Sequence, residues 1–194
     1  MKVGLYFGSF NPIHHGHLVI ANFILEHAHL DQVWFVVSPQ NPLKRSATLL
    51  DEYHRLHLVR LAVENESRLK ASDIEFKLPK PSYTVDTLAY LQEKYPKEEF
   101  SVIMGSDSFQ NLTKWKNYQW LLRNYPIYVY RRPQHENLPN YPDARQVEIV
   151  DAPLLPISST DIRNKIKKGQ SVRYLLPESV LNEIEKGGYY RITS

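Results

Sequence analysis

The chain has 194 residues, 24 basic against 21 acidic for a formal charge of +3, 42% hydrophobic residues and no cysteine. So balanced a charge argues against a chain that lives on nucleic acid or an anionic membrane, and the missing cysteines exclude disulfides, thiolate metal sites and a cysteine nucleophile. The size fits one domain spanning residues 1–194. The apolar run from Val3 to Phe7 is short for a signal peptide and no 18-residue apolar span follows, so a soluble, unprocessed, cytoplasmic protein is expected.

Short β-branched and aromatic runs alternate with segments of helical period. Lys2 to Phe7 reads as a buried strand and His17 to Ala28 as a helix, with a glycine-containing loop between them. Gln32 to Ser38 is a strand, and Asp51 to Asn65 is an amphipathic helix with an acidic cap. The rhythm repeats with strand-like Asp73 to Phe76, helical Thr84 to Tyr95, strand Phe100 to Gly105, a helical stretch to Arg123 and strand Pro126 to Arg131. A Pro- and Asn-rich loop from Pro133 to Pro142 leads to strand Gln146 to Val150. Helices Ser159 to Lys168 and Pro177 to Lys186 close the chain. Such alternation predicts an α/β fold with a parallel sheet covered on both faces, whose ligands bind beyond the carboxyl ends of the strands.

The first of those ends carries GSFNPIHHGH, Gly8 to His17. Glycine and proline shape the turn, but a turn has no use for histidine. His14 and His17 are spaced to share one side of a helix N-terminus, where free N–H groups and the helix dipole attract anions. A phosphate site, ordinary turn histidines and a zinc site remain the readings open to spacing alone. Later, ISSTDIR (Ile157 to Arg163) offers either a second anion site, with Ser158 or Ser159 capping a helix and Arg163 supplying a fork, or a plain helix cap. Asp107, after the strand ending at Gly105, suits a sugar hydroxyl or a helix cap. Trp115 suits a ligand platform or the core, and Trp34 and Trp120 are assigned to the core. Tyr83 and Thr84 read as turn residues, with Thr84 capping a helix.

The H-x-G-H signature His14-His15-Gly16-His17 resembles that of the nucleotidyltransferase superfamily. Together with PQNPLK (Pro39 to Lys44), PSYTVDTL (Pro81 to Leu88), MGSDSFQNLTKW (Met104 to Trp115), ISSTDIR and YLLPESV (Tyr174 to Val180), the pattern resembles bacterial nicotinate-nucleotide adenylyltransferases. Phe7 and Asn11 stand where that family usually has glycine and aspartate, and the loop of Lys44 lacks its histidine.

This resemblance implies a Rossmann-like, doubly wound, mostly parallel sheet with helices on both faces and a helical C-terminal end. It implies adenylyl transfer from ATP, escorted by Mg²⁺, to nicotinate mononucleotide, with no nucleic acid or membrane partner; no motif speaks to oligomeric state. His14, His17, Lys44 and Arg163 would be catalytic. ATP would be held by Gly8, Ser9, Phe10, His14, His17, Gly105, Asp107, Ile157, Ser158, Ser159, Thr160 and Arg163. The mononucleotide would be held by Asn11, Lys44, Tyr83, Thr84, Asp107 and Trp115. No protein metal ligand is assigned. Transfer to another phosphorylated acceptor, and a nucleotide-binding regulator without catalysis, are the competing functions.

Overall fold

In the computed structural model, residues 1–40 and 48–191 are described; Lys44 lies outside them. Six strands, β1 (Lys2–Gly8), β2 (Gln32–Val37), β3 (Leu69–Ser72), β4 (Glu99–Gly105), β5 (Pro126–Tyr130) and β6 (Gln146–Val150), form one sheet in the order β3-β2-β1-β4-β5-β6. Every pairing is parallel. The chain builds outward from β1 in one direction and then, from β4, in the other. The crevice of the sheet therefore opens where β1 and β4 end.

Side-chain alternation distributes the helices. Val3 and Leu5 of β1, with Phe100, Val102 and Met104 of β4, pack on one face against Val85, Leu88 and Leu91 of α3 (Thr84–Lys94) and Leu121 of α5 (Tyr118–Asn124). Tyr6 and Ile103, of opposite parity, face α1 (His15–His27), α2 (Glu52–Val63), α6 (Ser159–Lys167) and α7 (Glu178–Gly187) through Ile24, Leu56, Ile162 and Ile184. A short α4 (Ser106–Gln110) follows β4 directly. None of the described helices is long and apolar enough to cross a membrane.

Four local expectations need correction. The third strand is Leu69–Ser72, paired with Val33 to Val36, and the expected strand Asp73 to Phe76 is mostly a 3-10 turn, Ile74–Lys77. Ser72 Oγ accepts from Ile74 N–H and the Asp73 carbonyl from Phe76 N–H, so local bonds end the ladder there. The helical stretch to Arg123 is broken, because Trp115 is extended and Asn117 takes a left-handed φ of 51°. α1 begins at His15, with His14 as its N-cap. Trp120 is 40% exposed and not core, whereas Trp34 packs partly buried on the α3 side of the sheet.

Candidate active site

A cleft of about 1080 Å³ opens at the ends of β1 and β4, lined by the β1–α1 loop, the start of α3, α4 and the start of α6. Phe10 enters the loop with a φ of 46° and turns its ring down onto Tyr6, Phe35 and His17. Only its backbone is left for a ligand. His14 then caps α1, its carbonyl accepting from the N–H groups of His17 and Leu18.

The His17 ring returns the contact, since its Nδ1 accepts from the His14 backbone N–H at 3.3 Å. That bond puts the proton of a neutral His17 on Nε2, the other side of the ring. The two imidazoles stack with centroids 3.8 Å apart, and Gly16 makes room for them: a Cβ there would stand 2.9 Å from His14 Cε1 and Nδ1. Among the described residues His14 Nδ1 has no partner. Burial, then Arg132 and His15, pushes His14 down to about 4; burial, then His14 and Arg132, pushes His17 well below its usual range. Both rings are neutral donors at pH 7.

The N-terminus of α6 docks beside that of α1. Ser158 caps it by accepting from Asp161 N–H, while Ser159 Oγ instead donates to the Pro12 carbonyl at 2.9 Å. Arg163 Nη1 donates to the Asn11 carbonyl at 2.8 Å and Nη2 to Thr160 Oγ1 at 3.3 Å. Ile157, Ser158, Ser159, Thr160 and Arg163 thus line the cleft opposite Gly8, Ser9, His14 and His17. Residues about 150 positions apart in the chain become one anion-facing wall.

At the end of β4, Gly105 caps α4, so Asp107 is not the cap; its Oδ1 lies 3.3 Å from Arg132 Nε. A Cβ on Gly105 would stand 2.5 Å from that Asp107 oxygen and 2.8 Å from Arg132 Nε, which is why the strand must end in glycine. Arg132 also donates through Nη2 to Tyr130 Oη and is bound at its backbone N–H by Ser106 Oγ. Sequence reading passed over Arg132, although an arginine just past β5 is where a cleft cation would be sought.

The other end of the cleft holds Asn11, Tyr83, Thr84 and Trp115. Thr84 is the first residue of α3 and not its cap; extended Tyr83 caps through its carbonyl, which accepts from Asp86 and Thr87 N–H. Lys116 Nζ lies over the Tyr83 ring at 4.9 Å from its centroid and pairs with Asp86. Asn11 is 5% exposed, and its amide is already engaged by Thr48 O, Leu50 N–H and Tyr190 Oη. Beneath lies Arg55, wholly buried, donating to the carbonyls of Leu50, Ser9, Ser38 and Pro39. Amphipathic patterning hid Arg55, because an arginine on a surface helix ordinarily points outward.

Residues 5–165 match the cytidylyltransferase-like family. A Flavobacterium psychrophilum protein named "Probable nicotinate-nucleotide adenylyltransferase" is 54% identical over 98% of this chain and 100% of its own length. One of the same name from Cytophaga hutchinsonii is 50% identical over 98% of each chain. The chain belongs to the nicotinate-nucleotide adenylyltransferase family. It is therefore a nucleotidyltransferase. Its fold matches the Plasmodium falciparum nicotinic acid mononucleotide adenylyltransferase complexed with NaAD, with a TM-score of 0.81 at 20% identity over 97% of each chain. The doubly wound, mostly parallel sheet expected of that family is observed, with every strand pairing parallel.

Proposed function

We propose that this member of the family transfers the adenylyl group of ATP to nicotinate mononucleotide, giving nicotinate adenine dinucleotide and pyrophosphate, a step of NAD biosynthesis. The observation that carries the reading is the facing of two helix N-termini, α1 and α6, with His14, His17 and Arg163 between them and an open cleft running on to Tyr83 and Trp115. The 5′-phosphate of the acceptor attacks the α-phosphorus in line and pyrophosphate leaves. Such a reaction needs positioned anions and stabilised charge, and no nucleophilic side chain.

In this reading the α1 and α6 termini, His14, His17, Arg163 and Lys44 bind the triphosphate. The backbone of Gly8, Ser9 and Phe10, with Ile157, Ser158, Ser159 and Thr160, encloses the nucleotide, and Gly105 and Asp107 lie where adenosine would end. Asn11 acts by holding its loop, since its amide is already bonded. Tyr83 and Thr84 receive the pyridine carboxylate, Trp115 the ring face, and Asp107 the acceptor's sugar.

Mg²⁺ arriving with ATP supplies charge neutralisation for the phosphates. Among the described residues no three His, Asp or Glu stand together to cage an ion, and Asp107 is paired with Arg132, so phosphate oxygens and water would supply most of its ligands. Having no cysteine, the chain can work unchanged in a reducing cytoplasm, the compartment proposed for it.

A pyrophosphate-release assay with ATP and a panel of acceptors tests the reading. Turnover with nicotinate mononucleotide, exceeding that with phosphopantetheine or glycerol phosphate, is expected. Turnover with another acceptor alone, or ATP binding without pyrophosphate, would overturn it.

A further inference from the structure

Tyr190 follows the last helix, yet its hydroxyl reaches the loop that follows the first strand. After α7, Gly188 takes a left-handed φ of 64° and the next two tyrosines part company. The Tyr189 hydroxyl lies 2.9 Å from His54 Nδ1 on α2, at an exposed site. The Tyr190 hydroxyl donates to Asn11 Oδ1 at 2.9 Å, across 179 positions of chain. Tyr190 itself holds a φ of 65°, a left-handed conformation that a tyrosine rarely adopts and that persists where the surrounding contacts impose it.

Asn11 is the junction this bond serves. Its Nδ2 donates to the Thr48 carbonyl at 3.1 Å, and its Oδ1 accepts from the Leu50 N–H at 3.2 Å as well as from Tyr190. The Leu50 N–H can only donate, so it fixes which end of the amide is oxygen, and with Tyr190 it fills both acceptor sites of that oxygen. An aspartate there would set a second acceptor against the Thr48 carbonyl. The main-chain carbonyl of Asn11 in turn accepts from Arg163 Nη1 at 2.8 Å, and the next carbonyl, Pro12, from Ser159 Oγ at 2.9 Å. Two consecutive carbonyls thus join the β1–α1 loop to α6. Arg163 bonds here to neutral oxygens, the Asn11 carbonyl and Thr160 Oγ1, which keeps its charge for a ligand.

We propose that Tyr190 is a positioning residue for nucleotide binding and adenylyl transfer: its hydroxyl fixes Asn11 and, through the Asn11 carbonyl, the place at which Arg163 meets the phosphates. This rests on the reading of the α1–α6 wall as the triphosphate site. The Tyr190 ring packs on the core cluster that contains Ile162 of α6 and Ile184 of α7, so its hydroxyl ties the loop to the same body that carries Arg163. Without that oxygen, the Asn11 side chain is held only from the Thr48 to Leu50 side. Burial pushes the Tyr190 hydroxyl above its usual range, against the opposing pull of Arg55 and Arg163, so it remains a donor.

The test is a double-mutant cycle of Tyr190→Phe and Arg163→Ala in the full-length enzyme, read as kcat/KM for ATP and as the affinity for ATP with Mg²⁺ by titration calorimetry. Tyr190→Phe keeps the ring and removes only the oxygen. Alone, it is expected to lower kcat/KM for ATP by about tenfold and to weaken ATP binding by about threefold or more, with KM for nicotinate mononucleotide changing by less than about twofold. In the Arg163→Ala background neither ATP quantity should change by more than about twofold, because the group being positioned is gone. Tyr189→Phe, at the exposed contact with His54, should stay within about twofold of wild type. Equal losses from Tyr190→Phe in both backgrounds are what a general loosening of the fold gives, and they would overturn the proposal. An unchanged kcat/KM in Tyr190→Phe, an equal loss in Tyr189→Phe, or a Tyr190→Phe chain that does not fold would overturn it too. The calorimetric comparison needs no acceptor, so a failure of the acceptor reading leaves it standing. If Arg163→Ala alone changes neither kcat/KM nor ATP affinity, the triphosphate reading of the wall fails, and this inference with it.

Discussion

His14 and His17 lie with their ring centroids 3.8 Å apart and their planes 27° from parallel, and the backbone N–H of the first donates to Nδ1 of the second. One histidine thus sets the tautomer of the other, leaving the Nε2–H of His17 free to donate. Loss of such a donor to a developing phosphoryl charge costs roughly 3–4 kcal/mol. His17→Ala should accordingly lower kcat by a few hundredfold while KM for ATP changes little. Activity within about threefold of wild type would remove His17 from the reaction.

The same burial has a signature in stability. Because the folded chain holds His14 at about 4 while an unfolded imidazole titrates near 6.5, the unfolded state takes up the proton first as pH falls. Stability is fully present above pH 6.5 and is lost progressively down to pH 4, by about 3 kcal/mol for His14 alone. Thermal melts of wild type and His14→Gln across that window should diverge, with the variant losing less. Parallel curves would show that His14 is not held neutral.

Arg55 joins four carbonyls from three segments without a carboxylate, so replacing it strands acceptors on both sides of the cleft. Arg55→Met should cost about 3 kcal/mol or more, lowering Tm by roughly 6–12 °C in a domain of this size. It should also raise KM for ATP, because Ser9 loses its tether. An unchanged Tm would mean that the carbonyls find other donors.

If magnesium enters with the nucleotide, EDTA should abolish turnover and leave Tm of the free protein unmoved within about 1 °C. A collapse of Tm in EDTA, with zinc in the purified protein, would instead put a structural metal at the histidines.

Trp115 borders the acceptor end of the cleft, and a stacked ring face does not distinguish acid from amide. Trp115→Ala should weaken nicotinate and nicotinamide mononucleotides by similar factors, about tenfold each for a lost stacking face. A loss falling on one acceptor alone, measured as kcat/KM, would assign Trp115 a share in specificity.

Strand and helix alternation and the H-x-G-H turn were legible in the sequence. They follow from local periodicity and from the steric need for glycine between His14 and His17, which any copy of this segment carries with it. The six segments from Gly8 to Val180 that resemble one family likewise located both anion-facing helix termini. Tertiary structure alone decided the rest. Asp73 to Phe76 alternates like a strand, yet the ladder ends one residue earlier, because a pairing is set by the neighbour β2 and not by the segment's own pattern. Arg55 and Glu75 are singled out by no pattern in the sequence, but each is enclosed by loops distant in sequence, which determine how it is bonded and, for Glu75, on which side of its usual range it titrates. Arg132 meets Asp107 only because β5 lies beside β4, and that adjacency belongs to the sheet and not to either stretch of chain.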